Sequence, residues 1–256
     1  MKSISILGCG WLGTPLAEHL SSKGYLIKGS TTTPEKLDKL KNLGIQPYLI
    51  DRSKAEVKIG DFFDTDLIII NIPPRNTPDD PQFHHKMIQS IVTQIDFTKT
   101  KIIFISSTAV YPNLSGEVTE SDASHNASSR GGVALLEIED LIANPATTIL
   151  RFGGLYGPDR HPGRFLSSKT LGGKTNPINM IHLDDCIGVI NSIMEQNIWG
   201  ERFSVCSPSH PTKEQFYNKA CQALGIPTPI FTEEETDYKL VNTDKLTNTI
   251  RYDFQH

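Results

Sequence analysis

Residues Gly8-Cys9-Gly10-Trp11-Leu12-Gly13 form a complete G-x-G-x-x-G, and their surroundings restrict the fold more than any other segment does. Ile4–Leu7, directly before them, is an apolar run of strand length. Leu12, Leu16 and Leu20 follow at intervals of four, one face of a helix, and Gly24 ends it as a C-cap would. A strand, a glycine turn and a helix in that order make a pyrophosphate cradle. Gly8 permits the tight turn, Gly10 lets the backbone approach the phosphates, and Gly13 lets the helix pack close to the sheet. The helix N-terminus adds N–H groups and partial positive charge. Without a ligand, the same residues would be only a glycine-rich turn.

The alternation continues. Tyr25–Ser30, Pro47–Ile50, Leu67–Ile72, Ile102–Ile105 and Thr147–Phe152 read as further strands. Between them, helices are expected from Pro34 to Gly44, over His85–Ile95 and over Ala134–Ala143. Right-handed βαβ units in series give an α/β fold: a Rossmann-type doubly wound parallel sheet. From Gly153 onward Pro158, Pro162, Gly163, Gly172, Gly173 and Pro177 break the pattern. Asn179–His182 and Phe203–Cys206 remain as short strands, and Asp185–Gln196 and Thr212–Leu224 as helices. Residues 1–152 are therefore mainly the nucleotide-binding part. Residues 153–256 are mainly a small C-terminal substrate lobe, interleaved with the sheet as one structural unit.

Composition narrows the function classes. The chain has 256 residues, 38% hydrophobic and 21% charged, enough for a sizeable core and too apolar for wholesale disorder. A net charge of −4 argues against a general nucleic-acid binder. The four cysteines, Cys9, Cys186, Cys206 and Cys221, show no metal-ligand spacing and no disulfide framework. No metal site is expected, and a reducing compartment fits best. Met1–Leu7 is too short for a signal-peptide core, and no apolar stretch reaches bilayer length, so a cytoplasmic protein with no membrane contact is expected. The acidic run Glu233–Glu235 reads as a solvated face. The oligomeric state stays open, a homodimer being one alternative.

The second strand bears on the cofactor. NAD sites usually place Asp or Glu about 20 residues after the turn. Here the segment is Lys28-Gly29-Ser30-Thr31-Thr32-Thr33, with Lys36 close behind and no acid. Thr31 and Thr32 would face the adenosine ribose. NADP(H) is favoured over NAD(H), although no Arg stands by to clamp a 2′-phosphate. β-Propensity and an N-cap before Pro34 also account for the threonines, and both readings can hold together. Asn71-Ile72-Pro73-Pro74-Arg75 ends the fourth strand, where ligands collect on parallel sheets. Ile72 and Pro73 would flank the adenine or ribose, or else simply close the strand.

Four segments together resemble the extended short-chain dehydrogenases/reductases, the NAD-dependent epimerase/dehydratase group. Gly8–Gly13 is similar to the group's nucleotide turn. Ile105-Ser106-Ser107-Thr108-Ala109-Val110-Tyr111 resembles its SS-x-x-VYG, Arg151–Pro158 its R-x-x-N-x-YGP, and Ile181-His182-Leu183-Asp184-Asp185 its V-H-V-D-D. The tail around Asn242–Phe254 is similar to an atypical branch whose members often lack an assigned reaction. The resemblance implies a Ser at Ser107 that orients substrate, and Gly153 and Gly154 bordering the nicotinamide. It also implies a Tyr-x-x-x-Lys pair acting as acid and tuner. Counting back from Glu137 puts that pair at Ser129 and Val133, and residues 128–133 hold neither Tyr nor Lys.

Without a tuned phenol the usual proton relay is missing. His161, His182 and Arg130 are candidate replacement acids, each with an ordinary structural or surface role as its alternative. The leading expectation is an atypical NAD(P)-dependent epimerase, dehydratase or reductase acting on a small polar, sugar-like substrate. Its rival is a non-catalytic NADP(H)-responsive redox sensor or scaffold.

Overall fold

The computed structural model describes every residue except Met1, Arg52, residues 75–79, Pro81, Asn126 and Ser128, and it leaves out the Arg130 side chain. A seven-stranded sheet contains β1 (Ser3–Leu7), β2 (Leu26–Thr31), β3 (Gln46–Leu49), β4 (Leu67–Ile70) and β5 (Lys101–Ser107), together with Thr147–Phe152 and Arg202–Val205. Its order is Arg202–Val205, Thr147–Phe152, β5, β4, β1, β2, β3. β1 pairs in parallel with β2 from Ser3↔Leu26 and with β4 from Ile4↔Leu67. The chain leaves β1 towards β2 and β3, then returns to add β4 and β5 on the other side. That reversal is the Rossmann switch point, and it lies at the carboxyl ends of β1 and β4.

Burial explains the strand sequences. Leu67, Ile68, Ile69 and Ile70 are all fully buried, as a strand covered on both faces requires. Ser5, equally buried, donates its hydroxyl to the Phe62 carbonyl at 2.6 Å. Helix α1 (Gly13–Ser22) buries Leu16, Ala17 and Leu20, the face its spacing predicts. Helices α2 (Lys36–Asn42), α3 (Phe83–Val92) and α4 (Arg130–Leu141) follow.

Two boundaries differ instructively from the sequence reading. β4 stops at Ile70 rather than Ile72, because Asn71 makes one last ladder bond, N–H to the Leu7 carbonyl at 2.9 Å, and Pro73 soon follows. α4 starts at Arg130 rather than Ala134. Ser129 caps it by accepting the Gly132 N–H on Oγ at 3.1 Å, which carries the helix through two glycines. Buried Glu139 of α4 accepts the Ser106 hydroxyl of β5 at 2.6 Å.

The chain forms two compact units. The first comprises Met1–Ser106, Val133–Leu150 and Ile193–Arg202; the second comprises Ser107–Gly132, Arg151–Ser192 and Phe203–His256. Three short parallel pairs build the second: Gly154–Tyr156 with Met180–His182, Thr170–Leu171 with Ile230–Phe231, and Gly116–Val118 with Lys239–Val241. Arg151, in this unit, is only 2% exposed. It donates to Tyr111 Oη at 3.1 Å and to the Glu120 carbonyl at 2.8 Å. Tyr111 Oη also shares a 2.6 Å hydrogen bond with Ser204 Oγ, and Glu120 Oε1 accepts the Ser204 N–H at 2.7 Å.

Candidate functional site

In the first unit a cavity of about 150 Å³ opens at the switch point. Gly8, Cys9 and Gly10 line it on one side, Ser30–Thr33 and Lys36 on a second, Asn71–Pro73 on a third. Ile50, Val57, Met87 and Ile91 complete an apolar wall. The residues proposed from sequence thus converge: Gly8, Gly10, Thr31, Thr32, Ile72 and Pro73 share one cleft.

Local hydrogen bonds fix the glycine turn. Cys9 N–H donates to the Ser30 carbonyl at 2.7 Å, and Gly8 N–H to Ser30 Oγ at 2.8 Å, so β1 and β2 hold it from below. Asn71 Nδ2 donates to the Gly8 carbonyl at 3.1 Å from the end of β4. Gly8 has φ +106°, a conformation that L side chains rarely adopt, and a Cβ there would run into the Asn71 carbonyl. Gly13 packs its backbone against Gly8 so closely that a Cβ would overlap the Gly8 carbonyl.

Gly10 differs from both. A Cβ on Gly10 would meet nothing within 4 Å among the described residues. The fold therefore needs Gly8 and Gly13, while the space over Gly10 is open. α1 begins just beyond, with no side-chain cap and no acid in its first turn. An open approach over Gly10 onto such a helix start fits a pyrophosphate. Trp11 and Leu12 stand apart from the cavity lining; Leu12 is 3% exposed and packs inward.

The electrostatics favour an anion. Among the described residues lining the cavity, Lys36 is the one charged group, and none is Asp or Glu. Thr31 is buried, and its Oγ1 accepts the Thr33 N–H at 3.2 Å, which shapes the loop leading to Lys36. Burial pushes the Cys9 thiol up to about 12, so Cys9 is a neutral wall residue. The apolar wall was not foreseen as part of a site. Met87 and Ile91 are four apart on α3, a spacing that signals only a buried helix face.

The remaining site candidates lie in the second unit, apart from Val133 in the first. Ser107 Oγ accepts the Ala109 N–H at 3.1 Å, capping a short turn. Gly153 and Gly154 allow close approach of Asn179 and Met180, whose atoms a Cβ at either glycine would strike. Tyr111, of the Val-Tyr motif, is fully buried; burial raises its hydroxyl above the ordinary range, outweighing Arg151. Lys239, missed in the sequence, is half-buried with its ammonium pKa lowered by burial, and donates to the Tyr111 carbonyl at 2.8 Å.

Of the candidate acids, His161 Nδ1 accepts the Gly163 N–H at 3.2 Å, and His182 Nδ1 accepts the Asp184 N–H at 3.2 Å. The Arg130 side chain lies outside the description, as do Arg75 and Ser128. No helix among the described residues is long and apolar enough to cross a membrane.

No family model matches the chain. The Escherichia coli K12 protein YeeZ is 33% identical over 266 residues, covering 100% of this chain and 97% of that protein. A conserved protein of unknown function from Silicibacter pomeroyi superposes with a TM-score of 0.76 at 18% identity, over 100% of this chain and 94% of its own. UDP-glucuronic acid 4-epimerase from Bacillus cereus, solved with NAD, gives 0.76 at 20% identity, over 99% and 92%. A short-chain dehydrogenase/reductase superfamily protein from Agrobacterium tumefaciens, with NAD bound, gives 0.76 at 14% identity, over 99% and 93%. The fold is thus the one shared by NAD-dependent epimerases and short-chain dehydrogenases/reductases.

Proposed function

The chain belongs to the family of the Escherichia coli protein YeeZ, and from that premise we propose that it binds a nicotinamide dinucleotide in the cleft between Gly10, Thr31–Lys36 and Ile72. The observation that carries this reading is the open approach over Gly10 within a turn whose other two glycines are fixed by packing. Solved structures of the same fold with NAD bound support it.

In this reading Gly8–Gly13 and the start of α1 hold the pyrophosphate through backbone N–H groups. Ile50, Val57, Ile72, Pro73, Met87 and Ile91 enclose the adenine. Lys36 and Thr31–Thr33 meet the adenosine ribose and accept a 2′-phosphate, so NADP(H) binds at least as tightly as NAD(H). A bound nicotinamide supplies hydride transfer. The chain's own part is to orient a small polar, sugar-like substrate, with Ser107 donating to its oxygen and Gly153 and Gly154 bordering the ring. With Ser129 serving as a helix cap where the family's Tyr is expected, the proton comes from His161, His182, Arg130 or solvent. The activity is that of an atypical epimerase, dehydratase or reductase.

One observation favours a second reading. The segment 129–133 offers a capped helix start and no phenol or amine, which suits a protein that binds NADP(H) and reports redox state without turnover. Titration with NADPH and NADH, followed by nicotinamide absorbance on a panel of sugar-nucleotide and carbonyl substrates, tests both. Binding with turnover supports the enzyme; tight binding with no turnover supports the sensor; no binding removes both.

A further inference from the structure

Three side chains of the second unit meet at one point. The strand Met180–His182 runs straight into the helix Leu183–Glu195, so His182 and Asp184 flank the start of that helix. His256 arrives from 72 positions beyond Asp184 and sets its Nε2 3.2 Å from Asp184 Oδ2. His182 Nδ1 lies 3.3 Å from the same oxygen. The two imidazoles stack with ring centroids 3.8 Å apart and a tilt of 35°. One donor atom from each of the three residues falls within 4.8 Å of the other two.

These separations suit a metal ion. Nitrogen and oxygen ligands sit about 2.0–2.1 Å from zinc, which places neighbouring ligands of a tetrahedral ion about 3.3 Å apart. Two of the three pairs already have that spacing; to complete the site the stacked rings, now 35° from parallel, turn apart so that both in-plane lone pairs point at the ion. His182 Nδ1 accepts the Asp184 N–H at 3.2 Å, so a lone pair and not a proton faces this side. The ion takes that lone pair in place of a long hydrogen bond.

The position of His256 is prepared. Asp185 is fully buried, and its Oδ1 accepts the Tyr252 hydroxyl at 2.7 Å and the Gln255 N–H at 2.8 Å. Ser207 Oγ donates to the His256 carbonyl at 3.1 Å. The Tyr252 ring lies against Gly188, where a Cβ has no room. The segment 252–256 is thus tied to the helix start independently of its histidine, and preorganised ligands bind more tightly than ones that must be ordered.

We propose that His182, Asp184 and His256 form a binding site for a divalent transition-metal ion of the zinc class, with water completing the shell. Two imidazoles and one carboxylate suit Zn(II), Co(II), Ni(II) or Cu(II), whereas Mg(II) and Ca(II) require more oxygen ligands. Side-chain exposures of 62% for Asp184 and 40% for His256 leave the ion an entry from solvent. This proposal does not need a bound dinucleotide, and a His182 that ligates the ion leaves the proton of the proposed reaction to His161, Arg130 or solvent.

The test uses the untagged chain, stripped with chelator and titrated with Zn(II) by calorimetry, with Co(II) absorption as the spectroscopic readout. One Zn(II) per chain is expected, with Mg(II) inert. His256→Ala and Asp184→Asn, both at exposed positions, should each weaken Zn(II) binding by about tenfold or more with unchanged circular dichroism. Absence of saturable Zn(II) binding overturns the proposal. So does binding whose affinity and Co(II) spectrum are unmoved in both variants.

Discussion

Gly10→Val separates the role of the turn in binding from its role in folding. Gly10 is exposed, lies outside the positive-φ glycines, and a Cβ there meets nothing within 4 Å among the described residues. The folded chain should tolerate the substitution within about 0.5 kcal/mol, as at ordinary surface sites. In the proposed complex the valine methyl groups occupy the path by which the pyrophosphate reaches the backbone. Hydrogen bonds to charged groups contribute about 1.5–3 kcal/mol each, so losing two costs about 3–6 kcal/mol. At 1.4 kcal/mol per decade, that is about a hundredfold or more in Kd. Gly8→Val is the contrasting case. Its φ of +106° and the Asn71 carbonyl leave no place for the side chain, so this variant should lose stability itself. Calorimetric titration with NADPH, beside thermal melts of all three proteins, gives the comparison. A Gly10→Val protein that melts normally and binds NADPH within threefold of wild type would refute the reasoning.

Lys36→Ala should weaken NADPH by about tenfold and NADH far less, since a charge-assisted contact of about 1.5 kcal/mol goes only to the 2′-phosphate; Kd values for both cofactors check this. Thr31→Asp should reverse the preference by placing a carboxylate where the 2′-phosphate would sit, read from the same pair of constants. Arg151→Met should lower stability by about 3 kcal/mol, because Tyr111 and the Glu120 carbonyl lose a buried partner, and chemical denaturation measures it. Asp66 has its pKa held below 3.8 by the N–H groups of Lys2 and Ser3. Its contribution is therefore complete above that pH and lost as the pH falls through the lower native value. The stability gap between wild type and Asp66→Asn should close on acidification.

The sheet was legible because its signals are local and agree with one another. Ile4–Leu7, the glycine turn and the four-residue leucine spacing of α1 each specify the same strand–turn–helix, and the apolar run Leu67–Ile72 reads as a doubly covered strand, two residues longer than the strand formed. The cleft was half legible. Gly8, Gly10, Thr31 and Ile72 carry positional signatures, whereas Val57 and Met87 are apolar residues whose use depends on where the chain brings them. The second unit was the least legible. Its pairs, such as Gly116–Val118 with Lys239–Val241, are two or three residues long and far apart in sequence, too short for a period to register. The cluster at His182, Asp184 and His256 has the same origin. Cysteine spacing spoke only against thiolate sites, and nothing local links His256 to a helix 72 positions earlier.

A crystal structure of the unmodified chain grown with NADPH tests the central claim most directly. The account predicts the pyrophosphate over Gly10 at the start of α1, the adenine against Ile50, Val57, Ile72 and Met87, and the 2′-phosphate beside Lys36. A dinucleotide bound elsewhere, or a cleft left empty at saturating NADPH, would contradict it.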